Sequence, residues 1–290
     1  MKDHIRNPLQ WGLDQFAVAG REDARPGIAE EPGIAEEAGY SPASAVRRIE
    51  VSDLWDALAK GFADFGEKRT DIMFLCVIYP VVGLILARAA SGDMLPLVFP
   101  LLSGFALVGP VAAVGLYEIS RRREAGVEVT WVDAFGVVRA PRIGSIALLG
   151  LALVAIFLLW LVAAFEIYGA TLGPEPPASA GTFLRDVFTT GAGWTMIIVG
   201  IGVGFLFAVV ALAIGVVSFP LLLDRNVGLF DAVTTSVLAV AVNPGPMAAW
   251  GLIVAAGLVL GSIPALLGLI IVMPTLGHAT WHLYRKVVPH

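Results

Sequence analysis

Long apolar runs dominate the chain from residue 72 onward. Four of them, Ile72–Ala90, Leu95–Ile119, Ile143–Tyr168 and Trp194–Leu223, contain few charged residues. A helix needs about 20 apolar residues to cross the ~30 Å hydrocarbon core of a bilayer. Each run is therefore predicted to be a transmembrane helix.

The last apolar run, Met247–Leu283, is too long for a single crossing, because its 37 residues would form a helix about 55 Å long. The sequence Gly261-Ser-Ile-Pro264 predicts a break near its middle, since proline disrupts a helix interior. We therefore expect two helices, roughly 247–262 and 264–284. The predicted fold class is all-α: a polytopic transmembrane helical bundle with six spans and short amphipathic surface helices.

Residues 51–70 are predicted to form an amphipathic interfacial helix, which lies at the membrane interface or packs under the transmembrane bundle. Over residues 51–65, the helical period of 3.6 places apolar and polar side chains on different faces. The apolar face consists of Val51, Leu54, Trp55, Leu58, Phe62 and Phe65, and the polar face of Ser52, Asp53, Asp56, Lys60 and Asp64.

Two shorter surface helices are predicted between spans. Thr130 and Asp133 have the spacing of a capping box, in which two side chains satisfy the first backbone N–H groups of a helix. The second helix, Leu229–Val242, carries its apolar residues on one side and ends before Asn243-Pro244.

Residues 1–50 are predicted to be a disordered acidic tail that is dispensable for folding. The hexamer Pro-Gly-Ile-Ala-Glu-Glu occurs twice in succession, at residues 26–31 and 32–37. Such a composition buries too little apolar surface to offset the conformational entropy lost on folding. The predicted organisation is therefore a tail over 1–50, an interfacial helix over 51–70 and a transmembrane domain over 71–290.

The distribution of arginine predicts the orientation of the spans. Loops on the cytoplasmic side of a membrane are enriched in Lys and Arg. Arg121, Arg122, Arg123, Arg139 and Arg142 follow the second span, whereas Arg185 is the one basic residue of the loop 169–193. With six spans, the basic clusters lie on the same side as both termini, so both termini are predicted to be cytoplasmic.

Charge and cysteine content exclude several classes of function. Residues 1–71 hold nine Lys/Arg and fourteen Asp/Glu, which accounts for the whole net charge of −5. This acidic balance argues against a nucleic-acid partner. Cys76 is the only cysteine, so intramolecular disulfides and cysteine-based metal sites are excluded.

Candidate chemistry is limited to two histidines. His278 and His282 stand at positions i and i+4, on one face of a helix, and could share a metal or approach a haem. The alternative is that both are ordinary interfacial residues beside Trp281, Tyr284 and Arg285. We predict no catalytic residue, no bound cofactor and no enzyme activity.

Charged residues at the ends of spans are interpreted as structural anchors, meaning groups that hold span ends at the membrane surface. They are Asp224, Arg225, Arg121, Arg122, Arg123 and Glu118. Asp224 is expected to cap the helix over 229–242 or to pair with an arginine of the other loop.

Several strings together resemble the bacterial family of predicted integral membrane proteins called domain of unknown function 2189. They are Gly115–Arg123, Phe219–Arg225, Asn243-Pro244 with Trp250, and Leu276–Arg285. The resemblance extends over roughly residues 50–288 and implies a multi-pass protein of the bacterial inner (cytoplasmic) membrane. Some members carry the label of cytochrome c oxidase subunits, which implies an accessory partner role beside a respiratory oxidase. A catalytic haem–copper role is excluded, since two candidate histidines are too few ligands.

The leading hypothesis for function is a non-catalytic accessory or assembly component of a membrane complex, in contact with the lipid bilayer. One alternative is a small-molecule transporter or channel, since several spans contain proline, as Pro110 and Pro274 illustrate. The other is a haem or metal protein that uses His278 and His282.

Overall fold

The computed structural model describes residues 40–67, 81, 83–85, 88 and 95–289. The regular elements of these residues are helices, with no strand among them, which confirms the predicted all-α fold class. The α-helices are α1 (Pro42–Ala45), α2 (Val51–Glu67), α3 (Val98–Ala112), α4 (Val114–Glu124), α5 (Ile143–Thr171), α6 (Ala180–Thr189), α7 (Gly191–Gly215), α8 (Ser218–Asp224), α9 (Leu229–Val242), α10 (Pro244–Ser262) and α11 (Leu269–Val287). Two 3₁₀ helices cover Leu95–Leu97 and Trp131–Arg139.

Three helical stretches within the described residues are long and apolar enough to cross a membrane. They are Ile143–Thr171, Gly191–Asp224 and Pro244–Ser262. They coincide with the third, fourth and fifth predicted spans, whose bounds are 143–168, 194–223 and 247–262.

The other three predicted spans have different outcomes. The first, over 72–90, lies largely outside the described residues. The second, over 95–119, is divided at Ala113 between α3 and α4. The sixth corresponds to α11, which is not among the candidate spans; its second half contains polar residues such as His278 and Arg285. The count of six spans therefore stays a prediction.

The predicted break between the last two helices is present as a turn over residues 263–268. Ala265 and Leu266 have φ angles of 50° and 67°, a left-handed conformation that reverses the chain within a few residues. A Cβ atom on Gly268 would lie 2.7 Å from Cα of Gly261, so this close approach requires glycine.

Apolar side chains fill the centre of the bundle. Leu153, Phe219, Met247 and Trp250 are at most 1% exposed and belong to one continuous cluster. Trp160 also donates from Nε1 to Oγ of Ser103 at 2.9 Å, which ties α5 to α3. In a bilayer such close packing, rather than exclusion of water, is what holds helices together.

The small residues of α7 and α10 pack against identifiable neighbours. A Cβ on Gly204 would meet the ring of Trp160 on α5 at 3.0 Å. A Cβ on Gly257 or on Gly261 would likewise lie 3.2 Å from a side-chain carbon of Val272 on α11. Gly200, one turn earlier on α7, has open space around it, so the close contact of α7 with α5 is made at Gly204 rather than at Gly200.

The amphipathic helix α2 packs along α11 in the antiparallel direction. Its buried residues are Leu54, Ala57, Gly61, Asp64 and Phe65. Trp55 and Phe62, which the sequence places on the same apolar face as Leu54 and Phe65, are 64% and 61% exposed. Asp64 was expected on the polar face and is buried instead.

Close packing against α11 explains why Asp64 is buried while Trp55 and Phe62 are exposed. A Cβ on Gly61 would lie 2.5 Å from the backbone nitrogen of Ala279 on α11. Two helices can approach so closely only where both present small residues, and these lie on the Ala57–Gly61 side of α2. The bulky Trp55 is thereby turned outward.

Residues 40–50, which the sequence predicts to belong to the tail, lie against the helices. The backbone N–H of Arg47 donates to the carbonyl of Val287 at 2.8 Å. Tyr40 Oη lies 2.9 Å from Oγ1 of Thr235, and Ile49 is buried. The predicted disorder of residues 1–39 lies outside the described residues.

Candidate functional site

A group of polar side chains surrounds one carboxylate, that of Asp64 in the last turn of α2. Asp64 is 8% exposed. Its Oδ2 accepts hydrogen bonds from Oγ of Ser120 at 2.6 Å and from Nε2 of His282 at 2.9 Å. Because Ser120 belongs to α4 and His282 to α11, this single oxygen joins three helices.

His278 completes the group from one turn earlier on α11 and is fully buried. Its Nδ1 lies 2.8 Å from Oγ of Ser120. The hydroxyl has one proton, which the charged Asp64 accepts, so Nδ1 of His278 carries a proton and donates it to Ser120. The tautomer is assigned from this network. Nε2 of His278 has no hydrogen-bond partner among the described residues.

Arg123 neutralises the acidic residues of this group. Its Nη1 donates to the backbone carbonyl of Asp64 at 2.8 Å and lies 3.3 Å from Oδ1 of the same residue. Its Nη2 pairs with the carboxylate of Glu67. Burial acts to raise the pKa of Asp64, but the hydrogen bonds from His282 and Ser120 outweigh it and hold the pKa below its ordinary value.

We call Asp64, Ser120, Arg123, His278 and His282 the aspartate cluster. Its geometry differs from that of a catalytic triad, because the serine proton is directed to the carboxylate and the histidine is itself a donor to the serine. Ser120 is 1% exposed. The arrangement holds protons in fixed positions between helices.

The two histidines predicted as metal or haem candidates both lie in the aspartate cluster, on one face of α11. Nε2 of His282 is engaged by Asp64, and Nδ1 of His278 by Ser120. Within the part of the chain that the structure describes, no group of three or more His, Cys, Asp or Glu side chains is arranged to hold a metal ion.

Three of the predicted anchors form a second network beside the cluster, around Glu118. Glu118 is buried and accepts from Nε and Nη2 of Arg121 at 2.8 and 3.0 Å. It also accepts from Nε of Arg122 at 2.6 Å. Nη1 of Arg122 then reaches Asp133 at 2.9 Å. The network therefore ties α4 to the 3₁₀ helix Trp131–Arg139.

Asp133 also forms the predicted capping contact. Its Oδ2 accepts from the backbone N–H of Thr130 at 2.8 Å and from Oγ1 of Thr130 at 3.0 Å. These bonds fix the start of the 3₁₀ helix, so that Asp133 can present its other oxygen to Arg122.

Asp224 and Arg225, the remaining predicted anchors, contact the end of the chain. Oδ2 of Asp224 accepts from the Tyr284 hydroxyl at 2.7 Å and lies 3.5 Å from Nη1 of Arg285. Nη2 of Arg225 donates to the carbonyl of Pro289 at 2.8 Å, and its guanidinium lies 5.9 Å from the Tyr40 ring centre. The expected partners of Asp224 were wrong: α9 begins at Leu229, with Gly228 at its N-cap and no side-chain cap. The arginine in contact with Asp224 is Arg285 of α11.

Sequence reasoning missed Asp64, Ser120 and Glu124 as members of these networks. Glu124 accepts from Nε1 of Trp281 and from Nε of Arg285, both at 3.0 Å. A signal for Asp64 exists in the spacing of Leu54, Ala57, Gly61 and Asp64, which marks one narrow face of α2 with small residues at its centre.

Comparison with known proteins identifies a matching family. Residues 98–224 match the family described as "Predicted integral membrane protein (DUF2189)", which confirms the resemblance predicted from the sequence. The matched residues include Glu118, Ser120 and Asp224, whereas Asp64 and both histidines of α11 lie beyond them. No curated protein and no solved structure matches the chain.

Proposed function

We propose that this integral membrane protein is a non-catalytic accessory or assembly component of a larger membrane complex. The observation that carries the proposal is the enclosure of the aspartate cluster. Ser120 and His278, which could otherwise supply a nucleophile and a base, are at most 1% exposed. They are bonded to each other, and Ser120 is bonded to Asp64. A substrate would have to separate three helices to reach them, which favours a structural role.

The apolar packing of the bundle centre supports this proposal over a transporter or channel. A transport pathway needs polar or ionisable groups that line a route through the membrane. The described carboxylates near the bundle interior do not line such a route. Asp64, Glu118 and Asp224 lie together where α2, α4, α8 and α11 meet. We call this region the charged end of the bundle.

Exposed aromatic side chains on the surface elements support contact with other molecules. Trp55 on α2, Phe135 on the 3₁₀ helix Trp131–Arg139 and Phe230 on α9 are each more than half exposed. Exposed apolar groups near charged residues are typical of surfaces that meet a membrane or a protein partner. In the proposed arrangement the protein crosses the bacterial inner membrane six times, with the charged end and both termini in the cytoplasm.

Deletion of the gene tests the proposal. Membranes of the deletion strain and its parent would be solubilised in a mild detergent and separated by native electrophoresis, with in-gel cytochrome c oxidase activity as one readout. We expect at least one assembly to be lost and to be restored by the wild-type chain. Unchanged assemblies, together with recovery of the protein as a lone monomer, would contradict the proposal.

A Ser120→Ala chain distinguishes the structural role from a catalytic one. If the protein is non-catalytic, the amount of restored assembly should follow the amount of folded Ser120→Ala protein in the membrane. A variant that folds to wild-type levels but restores no assembly would indicate chemistry at Ser120.

A further inference from the structure

A cleft lined by arginine lies at the charged end of the bundle, beside the Glu118 network. Its volume is about 380 Å³. Three separate parts of the chain form it: the end of α4, the segment that precedes α5, and the connection between α8 and α9. The arginines that line it are Arg121, Arg122, Arg139, Arg142 and Arg225.

The lining carries an excess of positive charge. Asp133, outside the lining, pairs with Arg122 at 2.9 Å. The lining itself holds five arginines and two carboxylates, those of Glu118 and Asp224, so two positive charges remain in excess when Asp133 is counted. Both carboxylates are already engaged, Glu118 by Arg121 and Arg122, and Asp224 by Tyr284 and Arg285. The field in the cleft therefore attracts an anion.

The cleft also retains donors for such an anion. A guanidinium has five N–H groups, and Arg121 uses two of its nitrogens on Glu118. Arg139 is exposed and makes no salt bridge with any residue that the structure describes. Arginine is the side chain whose planar set of donors best matches the oxygens of a phosphate.

The position of the cleft relates it to the membrane surface. Arg142 directly precedes α5, and Asp224 ends α8, so two of the three candidate spans have an end at the cleft. Basic pockets between transmembrane helices at this level commonly receive anionic lipid headgroups. A soluble phosphate compound could enter the same cleft from the aqueous side.

We propose that this cleft binds a phosphate group, carried by an anionic phospholipid or by a soluble phosphate compound. This proposal is independent of the proposed assembly role. It concerns the arginines of the cleft and a phosphate ligand, whereas the assembly role concerns the aspartate cluster and a protein partner.

Binding to the purified full-length chain tests the proposal and separates the two sources. Native mass spectrometry would measure dissociation constants for phosphatidylglycerol, with phosphatidylcholine as the zwitterionic comparison. Thermal-shift titration with inorganic pyrophosphate forms the soluble arm. Preference for phosphatidylglycerol identifies a lipid ligand, stabilisation by pyrophosphate identifies a soluble one, and either result supports the site. Binding of neither overturns it.

Two variants with the same charge change show whether the cleft is responsible. Arg139→Gln removes an exposed arginine from the lining, and Arg185→Gln removes an exposed arginine from α6, which follows the other end of α5. We expect Arg139→Gln to weaken binding about tenfold, the effect of losing one charge-assisted hydrogen bond, and Arg185→Gln to leave it unchanged. Equal effects from the two variants would overturn the proposal. The double variant Arg139→Gln, Arg225→Gln should bind more weakly still.

Discussion

Oδ2 of Asp64 lies 2.9 Å from Nε2 of His282, and the contact joins residues 218 positions apart in the chain. Since the same oxygen also accepts the proton of Ser120, its loss would leave donors on two other helices without an acceptor. Buried donors without partners are costly. The stability of the junction between α2, α4 and α11 therefore depends on this carboxylate.

Asp64→Asn should lower the free energy of unfolding by about 3 kcal/mol, because it removes the charge that Arg123, Ser120 and His282 surround. Asp56→Asn is the control on the same helix: its side chain is 41% exposed and pairs with the partly exposed Lys60 and Lys286. Because exposed ion pairs contribute little, we expect a loss below about 1 kcal/mol. Denaturant unfolding in a mild detergent would measure both. Similar losses would mean that Asp64 is not part of a stabilising junction.

The pKa of Asp64 predicts a loss of stability in acid. Since this pKa is lower in the folded protein than its ordinary value of 3.8, the folded state favours the charged carboxylate. The stabilisation is therefore complete above about pH 4 to 5 and is lost as the pH falls through 3.8 and below. Melting temperatures of wild type and Asp64→Asn should converge over this range. A constant difference down to pH 2.5 would contradict the assignment.

The close approach of α2 and α11 predicts that alanine substitutions at two glycines of α2 change stability in opposite directions. Gly61→Ala would place a methyl group 2.5 Å from the backbone of Ala279, and we expect a loss of about 1–3 kcal/mol from overpacking. Gly66→Ala meets nothing within 4 Å, and alanine favours the helix by up to about 1 kcal/mol. Thermal unfolding of the two variants checks this. A neutral Gly61→Ala would mean that the helices can separate without cost.

The spans could be predicted from sequence because their signal is local. Length and hydropathy placed the third span at 143–168, and α5 covers Ile143–Thr171. The fifth was placed at 247–262, and α10 covers Pro244–Ser262. Proline and glycine located the turn after α10 for the same reason, since their backbone preferences act within a few residues.

The aspartate cluster could not be predicted in the same way because it depends on contacts between distant residues. Hydrophobicity placed Asp64 on the polar face of α2, whereas the close approach of Gly61 to Ala279 brings Asp64 into contact with α4 and α11. The partner of Asp224 was likewise sought in the neighbouring loop and is Tyr284 on α11. Which helix lies beside which is information that a local pattern does not contain.

Asn243 is predicted to hold residues 40–50 against the bundle. Its Oδ1 accepts from the backbone N–H of Ile49 at 2.8 Å, and its Nδ2 donates to the carbonyl of Arg47 at 3.1 Å. Asn243→Ala leaves these backbone groups without partners, and we expect a loss of about 2 kcal/mol.

Two truncations complement this variant. A chain that starts at residue 40 should be as stable as the full chain, whereas one that starts at residue 51 should lose at least as much as Asn243→Ala. Equal stability of the two truncated chains would show that residues 40–50 contribute nothing, as the sequence alone predicts.

Asp224 is the predicted anchor whose removal tests the anchor hypothesis most directly. Its side chain is 9% exposed, and it accepts the Tyr284 hydroxyl. Asp224→Ala should cost about 2 kcal/mol, because that buried hydroxyl loses its acceptor. Asp186→Ala is the control, since its carboxylate is 38% exposed and pairs only loosely with Arg185, at 3.5 Å. Equal losses would contradict an anchoring role and return Asp224 to the candidates for binding or catalysis.

A double-mutant cycle with Tyr284→Phe identifies the origin of the loss at Asp224. If the stranded hydroxyl causes it, Asp224→Ala should cost much less in the Tyr284→Phe background than in the wild type, with a coupling energy of about 1–2 kcal/mol. Arg285 contributes little to this coupling, because Glu124 remains as its partner at 3.0 Å. If the stability losses of the two single variants simply add, the loss at Asp224 comes from removal of its charge. Asp224→Asn should then lose as much stability as Asp224→Ala.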